Sequence, residues 1–225
     1  MVKQGGRHVG RTIALSVVAL LFAAVIAYGA YMAYSIKQVN ACFAQAQSSY
    51  AQMQTDVEAQ QYTNALEDAR AAATSTSEAS TLMEGWQWNV AAVLPVLGTD
   101  VQAARSLGSI SNDLSQDAVL PVLESWDSLI NKGAITNGQL DILKIPTMIT
   151  QIKDLFGALT NASALVDDCK VRVDAVPDSH FDSINESRTM LSEAITSADE
   201  ALVQFDEISQ AISEITNAVN GVVGQ

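Results

Sequence analysis

Two histidines, two cysteines and a few neighbouring acids are the residues of this chain whose types could do chemistry. His180 stands between Asp178 and Asp182, a spacing that offers three ligands to a metal ion. Acidic residues drawn to the start of a helix by its macrodipole account for the two aspartates without a metal. His8 lies in a basic N-terminal stretch, away from any second ligand. Asp167 and Asp168 are adjacent, as are Asp199 and Glu200. Neighbours on a helix face different ways, so neither pair makes a catalytic dyad. There is no glycine-rich phosphate loop, no GxSxG elbow and no Cys-His pair in a plausible context. The chain therefore reads as a protein other than an enzyme, with no catalytic, cofactor-binding or metal-binding residue expected. Asn161 and Asn185 each open an Asn-x-Ser glycosylation pattern, which is too frequent by chance to carry weight.

What must position any working surface is a set of helices, the first of them apolar enough for a membrane. The chain is 48% hydrophobic and only 16% charged, too apolar for disorder. Residues 12–36 contain no charge, and 25 such residues exceed the roughly 20 that span a bilayer. Lys3, Arg7 and Arg11 precede the run, while Tyr28, Tyr31 and Tyr34 stand at its far end. A basic flank inside and an aromatic belt outside give an N-in, C-out orientation. A cleaved secretory signal would be shorter, and Ala33-Tyr34-Ser35 is a poor cleavage site. Residues 39–42 resemble a lipoprotein box, but Asn40 and Lys37 depart from it. No ionisable group lies in the run, so it reads as an anchor rather than a conduction path. Gly29 and Ala33 form one small-xxx-small pair through which two copies could associate.

Three of the 12 Lys and Arg residues precede the run and all 25 acids follow it, which leaves the outer part at −16. That charge excludes nucleic acid and anionic lipid surfaces as expected partners, since both require basic patches.

Beyond the span, Ile36, Val39, Phe43, Ala46, Tyr50, Met53 and Val57 recur at spacings of three and four, a heptad seam that can face other helices of the chain or a second copy. With no Gly or Pro between Ala30 and Glu84, one helix is expected to run unbroken through 37–93, weakened only near 74–80. Phe181, Ile184, Leu191, Ile195, Ala198, Leu202, Phe205, Ile212, Val219 and Val222 mark another over about 178–222, with Asp178 and Ser179 as candidate caps. Pro95, Pro121, Pro146 and Pro177 each follow an aliphatic residue and mark a helix boundary or kink. Helices are thus expected at about 100–130 and 139–174, the second interrupted by Pro146, with a loop over 131–138. The expected fold is all-α: a 1–11 cytoplasmic tail, a 12–36 transmembrane helix, and a 37–225 extracytoplasmic bundle of about four helices.

The stretch GWQWNVAAVLPVLGTD at 85–100 breaks that pattern, and its AVLPVL returns at 118–123. Two copies are too few for a repeat array. LPVLG at mid-chain, without threonine, is no sorting signal. It reads as a joint over 94–99, with Thr99 or Asp100 capping the next helix, whereas the second copy kinks a helix without ending it. Trp86 and Trp88 point to opposite sides, so one fills the core and the other is partly exposed. A protein partner is therefore sought first at Trp86, Trp88, Leu94, Pro95, Leu97 and Gly98, with Trp88→Ala as its test. Cys42 and Cys169 both fall in the outer part, where a disulfide would persist, but a simple up-down-up-down bundle sets them tens of ångströms apart. A bond between them requires the first helix to fold back or the bundle to run differently.

Trp88-Asn89, Leu94-Pro95-Val96-Leu97-Gly98, the 100–107 run DVQAARSL and Gly138-Gln139-Leu140-Asp141 resemble the N-terminal region of an uncharacterised family of Gram-positive, actinobacterial envelope proteins. The resemblance covers roughly residues 12–223. It implies one N-terminal membrane helix, a long helical segment with a W-N...LPxxG motif, and a following α/β domain that would start about where this chain stops. It brings no activity and no cofactor. The expected function is a single-pass, membrane-anchored helical scaffold or protein-interaction module of the bacterial envelope. The alternatives are a ligand-sensing ectodomain that acts through a partner, and the stalk of a longer protein.

Overall fold

The computed structural model describes the backbone of residues 6–132, 135–136, 139–140 and 145–223, and the side chains of 23–131 and 147–203. Its first helix, α1 (Gly6–Glu58), is 53 residues long and carries the apolar run and the seam on one axis. Helix α1 ends far short of residue 93, which corrects the expected unbroken helix over 37–93. The stop is made by Gln60 at φ 59°, in the left-handed region that glycine usually fills. Its N–H donates to the Val57 carbonyl, and the Gln61 N–H reaches back to the Asp56 carbonyl at 2.7 Å. This pair of bonds satisfies the last carbonyls of the helix and reverses the chain.

Helix α2 (Tyr62–Met83) then runs back along α1. Its inner face is small, with Ala65, Ala69, Ala72, Ala73, Ser75, Thr76 and Ala79 all buried, so the two backbones approach closely. Helix α2 runs unbroken through the hydroxyl-rich patch near 74–80. Thr74, Ser75 and Thr76 donate to the carbonyls of Arg70, Ala71 and Ala73 at 2.8–3.0 Å within the same helix.

A short helix α3 (Trp86–Ala92) crosses from α1 to α4 (Gly98–Asp113). From α4 a π-helical segment, Leu114–Val119, leads without a break into α5 (Leu120–Lys132). Ile135–Thr136, in the expected loop, pairs antiparallel as β1 with Gln139–Leu140, β2, which corrects the expected helix start at 139; the two residues joining them, 137 and 138, lie outside the described residues. Helix α6 (Ile145–Asp174) begins at the residue before Pro146. The proline therefore sits in the first turn, where its missing donor costs nothing, instead of interrupting the helix. Helix α7 (Asp182–Val223) starts later than expected, because Asp178 pairs with Arg188 at 2.8 Å and Ser179 bonds elsewhere.

Apart from that two-residue ladder the described fold is helical, a bundle in which α1, α4–α5 and α7 run one way and α2 and α6 the other. Two apolar clusters hold it, and α4 contributes to both. Ala103, Leu107 and Ile110 meet Cys169 and Val173 of α6 and Ile195 of α7. Val101 joins Val39, Met83, Trp88 and Ala91 on the other side. Of the α1 seam, Val39 and Ala46 are buried within the chain and Phe43, Tyr50 and Met53 half-buried, whereas Ile36 and Val57 are exposed; the part of the second seam from Phe205 to Val222 lies outside the described side chains. Among the described residues no helix is long and apolar enough to cross a membrane, and residues 12–22 of the expected 12–36 span lie outside the described side chains.

Candidate functional site

The end of the bundle where α3 crosses α1 gathers the residues singled out as a surface. Ser35 is the first buried side chain met along the described part of α1, and its oxygen accepts two hydrogen bonds. Trp88 Nε1 donates to it at 2.9 Å and Gln87 Nε2 at 3.1 Å. About two turns earlier on α1, the Tyr28 hydroxyl donates to the Gln87 carbonyl at 2.7 Å. These bonds satisfy the indole and amide of a buried stretch, as buried polar groups require. They also pin the start of α3 beside residues 28–35 of α1. At this end of the seam Ser35 accordingly takes the inside position and Ile36 is 41% exposed.

Trp86 and Trp88 separate as their spacing implies. Trp88 is buried against Val39, Met83 and Val101, so it belongs to the core and cannot serve as a partner contact in the folded chain. Trp86 is 60% exposed, with its ring stacked on Tyr31 at 5.7 Å and tilted against Tyr28 at 6.1 Å. Leu94 and Pro95 are exposed in the turn after α3, while Leu97 and Gly98 are half-buried. Gly98 has a steric reason: a Cβ there would stand 2.6 Å from the Ala92 carbonyl oxygen.

Arg105 locks the joint from the α4 side. Its Nε donates to the Met83 carbonyl at the end of α2, and its terminal nitrogen to Asn89 of α3, both at 2.8 Å. A cavity of about 280 Å³ beside it is lined by Ser80, Met83, Glu84, Asn89, Arg105 and Ser109.

Asp100 was expected as a helix cap, yet α4 starts at Gly98 and the Asp100 carboxylate turns to the α6–α7 connection. There it accepts from the Ser179 hydroxyl and the His180 backbone N–H, each at 2.7 Å, and meets His180 Nδ1 at 3.3 Å. Burial alone would raise its pKa, but these donors outweigh burial and hold it below the usual carboxylate range. His180 thus pairs with Asp100 rather than with Asp178, which pairs with Arg188. Among the described residues no three His, Cys, Asp or Glu side chains gather to hold a metal.

Cys42 and Cys169 are both free. The first helix does fold back, as a bond between them would require, but Cys42 packs at the edge of the Trp88 cluster and Cys169 inside the Ile110 cluster. Burial pushes both thiols up, aided at Cys42 by Glu78, so neither is an activated nucleophile. Across the α1–α2 hairpin, Asp68 is likewise raised, by burial and then by Asp56 beside it. Sequence spacing could not show this acid pair, nor the Ser35 and Ser179 contacts, because each joins two separate segments of the chain.

No protein-family model matches the chain, and neither a curated protein nor a solved structure is significantly similar to it.

Proposed function

We propose that the chain is a single-pass membrane protein of a bacterial envelope, whose helical bundle stands outside the cytoplasmic membrane as a scaffold or interaction module. The observation that carries this reading is the shared axis of α1. The uncharged run at 12–36 and the first bundle helix belong to one helix, Gly6–Glu58. Val25, Ile26, Tyr31 and Tyr34 on it are exposed, whereas burial begins at Ser35. A span in helical continuity with the bundle holds the outer domain at a fixed height and azimuth, with no flexible linker between them. The basic flank of Lys3, Arg7 and Arg11 supports the N-in orientation, and the W-N...LPVLG resemblance supports the envelope placement.

The test is alkaline carbonate extraction of native membranes, followed by intact mass of the retained protein with and without reduction. Retention in the membrane fraction at about 23.9 kDa, with both thiols alkylated before reduction, is the expected result. Release by carbonate, or a mass short by the residues up to the Tyr belt, overturns the anchor.

A further inference from the structure

The joint carries apolar surface that the core does not use. Residues 85–99 contain no charge, although Glu84 and Asp100 bracket them and acids outnumber bases 25 to 12 in the chain. Trp86, Val93 and Val96 are 60%, 79% and 70% exposed, and Val90 and Leu94 about two-fifths exposed. The placement of this surface gives it meaning. The Tyr28 and Tyr31 contacts set α3 level with the outer end of the apolar run, and the exposed Val25 and Ile26 continue the apolar surface along α1. Tyr28, Tyr31 and Trp86 thus form one aromatic group from two helices, with exposed Tyr34 further along α1, of the kind that settles at a membrane-water interface.

We propose that α3 and the turn after it form a collar that seats the base of the bundle on the outer leaflet of the bilayer, with Trp86, Val90, Val93, Leu94 and Val96 in contact with lipid. The proposal rests on the anchor reading above. Its ligand is the interfacial zone of a zwitterionic lipid: the collar has no Lys or Arg to recognise an anionic headgroup, and the outer part carries −16. Contact is made by aromatic and aliphatic burial, as for amphipathic segments lying in the interface. The collar gives the anchored bundle a second attachment point, which removes rotation about α1.

The test uses the full chain in phosphatidylcholine vesicles, with Trp126→Phe as background. The difference in emission between that protein and the Trp126→Phe, Trp86→Phe double variant isolates Trp86, because buried Trp88 is common to both. In vesicles whose acyl chains are brominated near the headgroup, loss of most of the Trp86 emission is expected, independent of salt. Adding Val93→Asp and Val96→Asp should restore that emission without lowering the melting temperature, since both side chains are exposed. Trp86 emission quenched by aqueous iodide and unaffected by brominated lipid, in protein that floats with the vesicles, overturns the collar and leaves the surface to a protein partner. Protein that fails to float after an alkaline wash overturns the collar and the anchor together.

Discussion

The hexapeptide AVLPVL occurs at 92–97 and again at 118–123, and the same six residues take two structures. In the first copy the chain leaves α3 and turns, with Val93 and Val96 among the most exposed apolar residues described. In the second it stays helical, with Ala118 buried and the residues through Leu123 half-buried. Proline permits either outcome, since it removes one donor and crowds the carbonyl four residues back. In the first copy that carbonyl belongs to Ala91, which accepts instead from the Leu94 N–H at 3.1 Å as the helix tightens and stops. In the second it belongs to Asp117, inside the π-helical turn Leu114–Val119, whose wider winding makes room for Pro121.

The flanks and the neighbours decide between them. Gly98 lets the first copy close onto the Ala92 carbonyl, which a side chain would prevent. Around the second copy, Gln116 donates to the Ala73 carbonyl at 3.0 Å, Arg70 meets Glu124 at 2.9 Å, and Gln151 donates to the Ser128 carbonyl at 3.0 Å. Helices α2 and α6 thus hold the second copy from both sides, while the first copy lies at the end of the bundle.

The largest way to sharpen this contrast is to remove the group that ties the first copy to the bundle. Trp88→Ala should cost about 3–5 kcal/mol through the cavity it leaves and the Ser35 contact it loses. Thermal unfolding should fall by on the order of 10 °C, and hydrogen exchange should speed at 92–98 before it does at 118–123. Trp86→Ala, which removes an exposed ring, should cost under about 1 kcal/mol. Equal losses from the two substitutions would contradict the buried position of Trp88.

Next in size is Asp100, three residues after the first copy, where Trp126 stands after the second. Asp100→Ala leaves the Ser179 hydroxyl and the His180 N–H without their acceptor, a loss of roughly 1–3 kcal/mol. Because the folded-state pKa of Asp100 is lowered, its charge contributes stability above about pH 4, and that contribution is lost as pH falls through the folded value. Asp100→Asn keeps a neutral acceptor, so its melting temperature should change less with acid than that of the parent chain. An identical acid profile in the two proteins would show that Asp100 is not held in its charged form.

Much of this was legible in the residues. Apolar spacings of three and four gave the helical class, Pro95 and Gly98 the joint, and the two-residue offset of Trp86 and Trp88 their opposite fates. The end of α1 was not legible, because glutamine at position 60 takes the left-handed conformation in place of glycine. A faint signal lay further on, in the alanine and serine face of α2, which is too small to stand alone and calls for a close antiparallel partner. Missing that reversal inverted the expected direction of α6, and with it the height of Cys169, and undercounted the helices. Asn137-Gly138 between β1 and β2 was a stronger missed signal, since that pair favours a two-residue hairpin. The exposed apolar residues of the joint, Trp86, Leu94 and Pro95, fall within the segment singled out, whereas Trp88 in the same segment is buried, and the side they face could be assigned only once Tyr28 and Tyr31 were seen to meet α3.

The smallest expected effect is also the most direct comparison of the copies. Val96 and Val122 occupy the same place in the two hexapeptides, 70% exposed in the first and half-buried in the second. Serine has nearly the size of valine's stem but returns little when buried, so Val122→Ser should cost about 1 kcal/mol. Val96→Ser should lie within about 0.5 kcal/mol of the parent, as exposed substitutions do. Thermal melts of both variants in the same mild detergent give the comparison. A larger loss at Val96 than at Val122 would mean that the first copy is covered by protein in the folded chain, and its exposed face would no longer be free to meet a membrane.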